Sequence, residues 1–416
     1  MTNPKGGNTV PYEGDNMMDI KRTNRSAALR ILHEKGGMSR KRLAENIKLT
    51  PAAITKIVGE MLGEGLLVES GTVPSESAGR REILVELNTH HRCALGILLN
   101  LRQAIVSAVW LDGSVLFSEP IELPSAASAE ETVALLSGRL LALAEEHGLE
   151  AERVIGLGLA VRGITSADGR TLSDSFGMLD ERDVPLCRLF EEATGFPTVM
   201  ANNVRALFSA QLFFDRDEEE SSEFFLRCEV GIGAALSINR QIWPGVSRQC
   251  AEIGHIPVVR RGGKRCSCGK KGCLETVASP SALREDALAL RSETQTPVFW
   301  ALTREKAPED VTIEDVLQAA ERGDAAIDAL LDRAVTALGD VVKTLVYLVD
   351  PGAIVLYGRM FDNAACLSRL LREIEKGIDG RHRVRIERSP YNHRLEDKAA
   401  GLLVVDAYLN DGGIRP

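Results

Sequence analysis

The chain has 416 residues, 50 Lys+Arg against 59 Asp+Glu, a net charge of −9, 44% hydrophobic and 26% charged residues. This composition excludes a disordered or fibrous chain, and no apolar run approaches the roughly 20 residues of a membrane-spanning helix. The global sign argues against a nucleic-acid partner, but between Lys21 and Lys56 ten basic residues face only Glu34 and Glu45, a local net of +8 that leaves −17 elsewhere. An appended basic module on an acidic body has that distribution.

Residues 1–16 are polar and Gly/Asn-rich, without the apolar core of a signal peptide, so a disordered tail and a cytoplasmic location are expected. Three helical patterns follow. Asn24 to Glu34 places Ala28, Leu29 and Leu32 on one face, and Gly36-Gly37 stops it. Ser39 then caps a helix with Leu43, Ala44 and Ile47 inward. Thr50-Pro51, a cap followed by Pro at the first helical position, opens a third, with Ile54, Ile57, Val58, Met61 and Leu62 at helical spacing. LLVES, a loop with Gly79-Arg80-Arg81, and the alternating EILVELN complete a winged helix-turn-helix over residues 17–88. Small and polar side chains at the start of the third helix suit approach to base edges: Pro51, Ala52, Ala53, Thr55 and Lys56. Arg40, and Arg80 and Arg81 at the wing tip, are further candidate DNA contacts. The third helix has no aromatic stripe, so double-stranded rather than single-stranded DNA is the expected partner.

From about residue 92 strands alternate with helices. CALGILLNLRQAIVSAVWL and GSVLFSEPIEL read as a meander, followed by a helix from Ser128 to Glu146. VIGLGLAVRGIT is an apolar Gly-rich strand and loop, and FLRCEVGIGAALSINRQI a strand–turn–strand. LVYLVDPGAIVLYGRM is a helix end, a Pro turn and a buried strand. This is an α/β body, with two lobes expected to face a cleft.

Three of the eight cysteines fall within eight residues. His255, Cys266, Cys268 and Cys273 form a Cys3His set, the donor set of a closed structural zinc site, one ion per chain. Cys93, Cys187, Cys228, Cys250 and Cys366 are scattered and read as small buried hydrophobes.

EIGHIPV followed by CSCGKKGCLETVAS resembles the signature of the ROK family of repressors, open reading frames and sugar kinases. TPAAITKIVGEML, GLGLAVRGIT, EVGIGAALSINRQIWPG and DPGAIVLYG extend the resemblance across nearly the whole chain. It implies an actin/hexokinase-like body, with one lobe over 89–202 completed by 390–416 and a second over 203–389. It also implies a sugar site at Gly163, Asn202, Asn203, Glu252, His255 and Glu275, since amides and carboxylates offer paired partners to vicinal hydroxyls. One imidazole nitrogen of His255 would serve the metal and the other the sugar.

The departures from the family kinases fall on phosphoryl transfer. Their Asp-x-Gly-Gly-Thr phosphate loop corresponds to GILLNLR, with Leu98 at the Asp and Asn100 and Leu101 at the paired glycines. Their catalytic Asp corresponds to Asn203, which cannot take a proton from a hydroxyl. Tyr357 and Arg359 stand where small residues would meet adenosine. The expectation is therefore a non-enzymatic, sugar-responsive DNA-binding regulator, a repressor before an activator. It would bind an operator as a homodimer or homotetramer, with control by a protein partner also open. A hexose kinase carrying a DNA-binding domain is the alternative.

Overall fold

The computed structural model describes residues 17–73, 81–124, 128–215 and 222–414. The expected tail over 1–16 and Arg80 lie outside them. The chain forms two compact units, one of residues 1–93, 110–112 and 405–416, the other of 94–109 and 113–404.

In the first unit, α1 (Met17–Lys35), β1 (Met38–Ser39), α2 (Arg40–Ile47) and α3 (Pro51–Gly63) precede β2 (Leu67–Val73) and β3 (Glu82–Leu87). Both expected caps are present: Ser39 Oγ accepts the Arg42 N–H at 3.3 Å, and Thr50 Oγ1 accepts that of Ala53 at 3.3 Å. Leu29, Leu43, Ile54 and Met61 are fully enclosed where the three helices meet. The sequence put the start of the first helix at Asn24. Its earlier turns carry exposed Met18 and Ile20, so no buried face announces them. The expected two-stranded wing is a three-stranded sheet of order β1-β3-β2, because Met38 and Ser39 pair with Val85 and Leu84. This unit encloses one cation. Arg25 is 3% exposed, and its guanidinium grips both oxygens of Glu64 (2.8 and 2.5 Å) while Nε donates to Gly412 O at 2.7 Å. A bidentate carboxylate partner with a further bond at Nε is the condition under which a buried charge is tolerated.

The second unit holds two five-stranded sheets built to one plan. In the first, β4 (Cys93–Leu99), β5 (Gln103–Trp110) and β6 (Val115–Glu122) follow in sequence, then β7 (Val154–Val161) and β10 (Thr198–Asn202). The order is β10-β7-β4-β5-β6, with β7 and β10 parallel. Between these last two strands, β8 (Ile164–Thr165) and β9 (Leu172–Asp174) form a small antiparallel arm. Helices α4 (Ala129–Glu146), α5 (Leu186–Thr194) and α6 (Asn203–Phe214) belong to the same stretch. The expected helix start at Ser128 is a capping box, Ser128 and Glu131 exchanging hydrogen bonds of 3.1 Å.

In the second sheet, β11 (Ser222–Cys228), β12 (Ile232–Ile238) and β13 (Gln241–Ile242) form an antiparallel meander, and β14 (Ala353–Tyr357) and β15 (Arg385–Arg388) add in parallel. The order β13-β12-β11-β14-β15 repeats that of the first sheet. Between β13 and β14 run a short α7 (Glu275–Ala278), α8 (Pro280–Leu290), α9 (Pro297–Thr303), α10 (Ile313–Glu321) and α11 (Ala325–Val349). After β14 come α12 (Arg359–Asp362), α13 (Ala364–Glu375) and, closing the chain, α14 (Ala399–Asn410). Helix α11 is long because Ile327, Leu331, Ala334, Val335, Leu338 and Val342 recur at helical spacing and pack with Leu226, Ile354 and Leu356 of the strands.

Candidate functional site: a cleft joined to a metal-binding loop

Repeating one plan in two sheets places equivalent strand ends around one opening, where ligands collect in open α/β folds. The β4–β5 hairpin contributes Asn100 to Gln103, and the corresponding β11–β12 hairpin contributes Glu229 to Gly233. They line a cleft of about 430 Å³, within the roughly 300–1,000 Å³ usual for small-molecule sites. Gly163, Asn202, Asn203, Glu252, His255 and Glu275 all line it, so the structure brings together every residue expected of the sugar site.

Their local partners differ. Asn202 ends β10 and caps α6: its Oδ1 accepts the Val204 N–H at 2.9 Å and its Nδ2 donates to Gly163 O at 3.0 Å. Much of its hydrogen-bonding capacity therefore holds the loop. Asn203, 5% exposed, donates from Nδ2 to Asn100 Oδ1 at 3.3 Å, linking α6 to the first hairpin. Gly163 has φ +136°, and a side chain there would strike the carbonyl of Asp174. Glu275 begins α7 and accepts the N–H of Ile232 at 3.2 Å. Glu252 is largely enclosed; burial pushes its pKa above the ordinary value, Arg205 opposes the shift, and Glu275 adds to it. Gly254 answers a packing need, since a side chain there would meet the Ile232 carbonyl. Leu98 is buried in β4, whereas Asn100 and Leu101 reach the cleft.

One turn beyond the cleft, the ligand atoms of His255, Cys266, Cys268 and Cys273 lie within 4.8 Å of one another. Cys268 and Cys273 place their sulfurs 3.7 Å apart, and Cys266 Sγ is 3.4 Å from His255 Nδ1. The loop returns through short backbone bonds: Cys266 N–H to Lys270 O at 2.8 Å, and Gly269 N–H to Cys266 O at 3.0 Å. Four soft donors converging this way could hold a metal ion. The remaining cysteines stand apart: Cys93, Cys187, Cys228 and Cys366 are buried, Cys250 is half-buried, and none is in a disulfide. Burial pushes the Cys187 and Cys366 thiols up to about 11 and about 12, consistent with inert packing.

Several cleft residues were not singled out by the sequence: Arg162, Arg227, Glu229 and Glu396; Arg359, noted there only as a departure from an adenosine contact, also lines it. Arg162 follows β7 directly, and Arg227 interrupts the apolar run of β11. A charge inside an otherwise buried strand was the available signal. Burial lowers the Arg162 pKa, against the influence of Glu275, and the charge of Arg227 lowers it further.

In the first unit, Pro51, Ala52, Thr55 and Lys56 are exposed along the start of α3, and Ala53 is half-buried. Thr55 donates its hydroxyl to Pro51 O at 2.7 Å, leaving the oxygen as an acceptor. Arg40 is paired with Glu69 at 2.8 Å. Arg81 is exposed.

Comparison with known proteins follows the geometry. The DNA-binding transcriptional dual regulator NagC of Escherichia coli K12 is 26% identical over 342 residues, which cover 82% of this chain and 81% of NagC. The crystal structure of a ROK family transcriptional regulator, a homolog of the E. coli MLC protein, superposes with a TM-score of 0.79 at 23% identity, covering 95% of this chain and 98% of that one. A ROK family glucokinase from Streptomyces griseus, solved with glucose and AMPPNP, gives a TM-score of 0.61 at 23% identity over 75% of this chain and 98% of its own. The kinase likeness establishes the α/β, actin/hexokinase-like body, and the regulator likeness extends over nearly the full length. The ROK family profile matches residues 106–402, well over half of the chain, and the protein belongs to the ROK family.

Proposed function

We propose that the protein is a sugar-responsive transcriptional regulator, a repressor whose hold on its operator is modulated by a carbohydrate in the cleft. The observation that carries this reading is the joining, in one chain, of a polar cleft built from the expected sugar residues and a basic three-helix unit with a capped, exposed third helix. Residues 17–88 would bind double-stranded DNA through Pro51, Ala52, Ala53, Thr55 and Lys56, with Arg40, Arg80 and Arg81 on the backbone or minor groove. One such unit reads a half-site, so a dimer, or a tetramer built of dimers, would act on a near-palindromic operator. The NagC likeness supports this reading.

The metal is read as one structural zinc ion held by His255, Cys266, Cys268 and Cys273. Tetrahedral zinc with bonds near 2.3 Å to sulfur and 2.0–2.1 Å to nitrogen needs S–S edges of about 3.8 Å and S–N edges of about 3.6 Å. The observed separations of 3.7 and 3.4 Å fit. Zinc would hold the three cysteines as thiolates and fix the imidazole through Nδ1, leaving Nε2 for a sugar hydroxyl. The same loop carries Glu252 and leads within two residues from Cys273 to Glu275, so a loaded metal site orients both carboxylates.

Phosphoryl transfer has little support in the cleft. By the family resemblance the general-base position corresponds to Asn203, an amide bonded to Asn100, and the phosphate hairpin to a stretch with Leu101 in place of a glycine cradle. The kinase reading remains testable because the body is shared with a glucokinase. A gel-shift titration against hexoses, pentoses and their phosphates, run beside a coupled ADP-release assay, separates the two. The regulator reading expects a sugar-dependent change in operator affinity and no ADP release above background. Turnover with any sugar, or operator affinity indifferent to all of them, would overturn it.

A further inference from the structure

The metal-binding loop carries positive charge that neither the cleft lining nor the four-donor cluster uses. Between Ile256 and Leu274 stand six cations, Arg260, Arg261, Lys264, Arg265, Lys270 and Lys271, and no acid. All six are exposed. A charge run is ordinarily a solvated face whose members spread apart. Here the backbone forbids that.

The cations fall as three adjacent pairs on three backbone segments, and hydrogen bonds tie the segments into a knuckle. Val258 and Val259 donate their N–H groups to Gly272 O at 2.8 and 3.0 Å, and Gly272 donates to Lys264 O at 2.9 Å. Arg265 and Lys271 are antiparallel neighbours, and Cys266 donates to Lys270 O at 2.8 Å. Gly263 lies so close to Gly272 that a side chain on it would strike that residue's backbone. Paired segments run about 5 Å apart, inside the Debye length of about 8 Å at physiological salt, so the pairs raise one common positive potential.

Two of the six have local partners. Lys264 pairs with Asp286, which Arg333 shares at 3.0 Å. Lys270 lies beside the metal cluster, where its charge favours the Cys268 thiolate. For Arg260, Arg261, Arg265 and Lys271 there is no side-chain hydrogen bond or ion pair among the described residues. The other exposed positions between residues 260 and 271 are Gly262, Ser267 and Gly269. A protein interface is built on an apolar or aromatic centre, and single-stranded nucleic acid on aromatic rings that stack; the knuckle offers neither. Duplex DNA asks only for closely spaced positive charge, since it carries one phosphate charge per roughly 1.7 Å of axis.

We infer that this knuckle is a second DNA-contacting surface, one that holds duplex phosphates without reading sequence. The inference rests on the operator-binding reading above and extends it to the α/β body.

The test is fluorescence anisotropy of the full-length protein on a labelled duplex of unrelated sequence, titrated across a salt series. Arg260→Gln/Arg261→Gln and, separately, Arg265→Gln/Lys271→Gln should each lower the slope of log K against log salt by roughly 1 to 2, since each phosphate contact contributes about 0.9. Arg260→Lys/Arg261→Lys keeps the charge and should keep the wild-type slope, which a loop that merely needs arginine to fold would not allow. Metal content by elemental analysis should match wild type in all three. Slopes unmoved in both glutamine variants would overturn the inference and leave the operator reading standing. A slope lost together with metal, or lost equally in the lysine variant, would trace the effect to a damaged loop and overturn it too. So would variants that lose affinity for polyglutamate while their duplex slopes stay at the wild-type value, because the knuckle would then belong to an acidic protein partner. A wild-type protein that binds no duplex of any sequence would instead remove the operator reading and this inference with it.

Discussion

At the residue scale, His255 carries the most consequence, because its ring belongs both to the four-donor cluster and to the cleft wall. Removing one sulfur from the cluster should therefore weaken sugar binding without touching the sugar. We expect about one zinc ion per wild-type chain and a clear loss in Cys268→Ser by elemental analysis, with sugar affinity falling more than operator affinity. Full metal occupancy in that variant would refute the ligand set. Glu252 gives a pH prediction. Burial holds its pKa above the ordinary value, so on acidification it takes up a proton earlier than an exposed glutamate with a pKa near about 4.3. The neutral acid loses acceptor capacity, so sugar affinity should fall as pH drops through this raised range and recover above it. Glu252→Gln should bind more weakly and show a flatter profile by calorimetry. These residues were legible in the sequence because ligand spacing and the Glu-x-Gly-His motif are local. Arg162 was not, because its place in the cleft is decided by which strand ends meet there once both sheets have formed.

At the level of elements, the short-range signals in the sequence were reliable. Ser39, Thr50 and Ser128 each cap the helix expected of them, because a cap needs only a side chain three residues from its N–H partner. The two-residue strand Met38–Ser39 was missed, being too short to show alternation. The early turns of α1 were missed because they bury too little to show a period. Thr50→Ala should lower unfolding free energy by about 1 kcal/mol, the usual worth of such a cap, measured by urea denaturation. An unchanged midpoint would mean that the Ala53 N–H is satisfied by other means. On the DNA side, exposed Lys56→Ala should weaken binding to operator and unrelated duplex alike and reduce the slope of log K against log salt by about 1. An operator-only effect would assign Lys56 to base reading instead.

Across the whole molecule, the recurring strand order of the two sheets explains why a cleft exists where it does. The sequence showed the repeated strand–turn–strand theme but not which strands neighbour which, since that is set by pairing across long separations. Charge likewise had to be partitioned before it was informative: −9 overall conceals +8 between residues 21 and 56. Among the described residues no helix is long and apolar enough to cross a membrane. An effector can act on DNA binding only through unequal affinity for two states, typically worth about 1–3 kcal/mol of coupling. The coupling must also be reciprocal, so operator DNA should alter sugar affinity by the same factor.

The central claim, that occupancy of the cleft governs the hold on DNA, is tested most directly by fluorescence anisotropy of labelled operator at fixed salt. The titration is run with and without the sugar that binds, for wild type and Glu252→Ala. The account predicts at least a roughly fivefold change in operator Kd for wild type and none for the variant at the same sugar concentration. Identical operator affinity in wild type with and without a demonstrably bound sugar would contradict it.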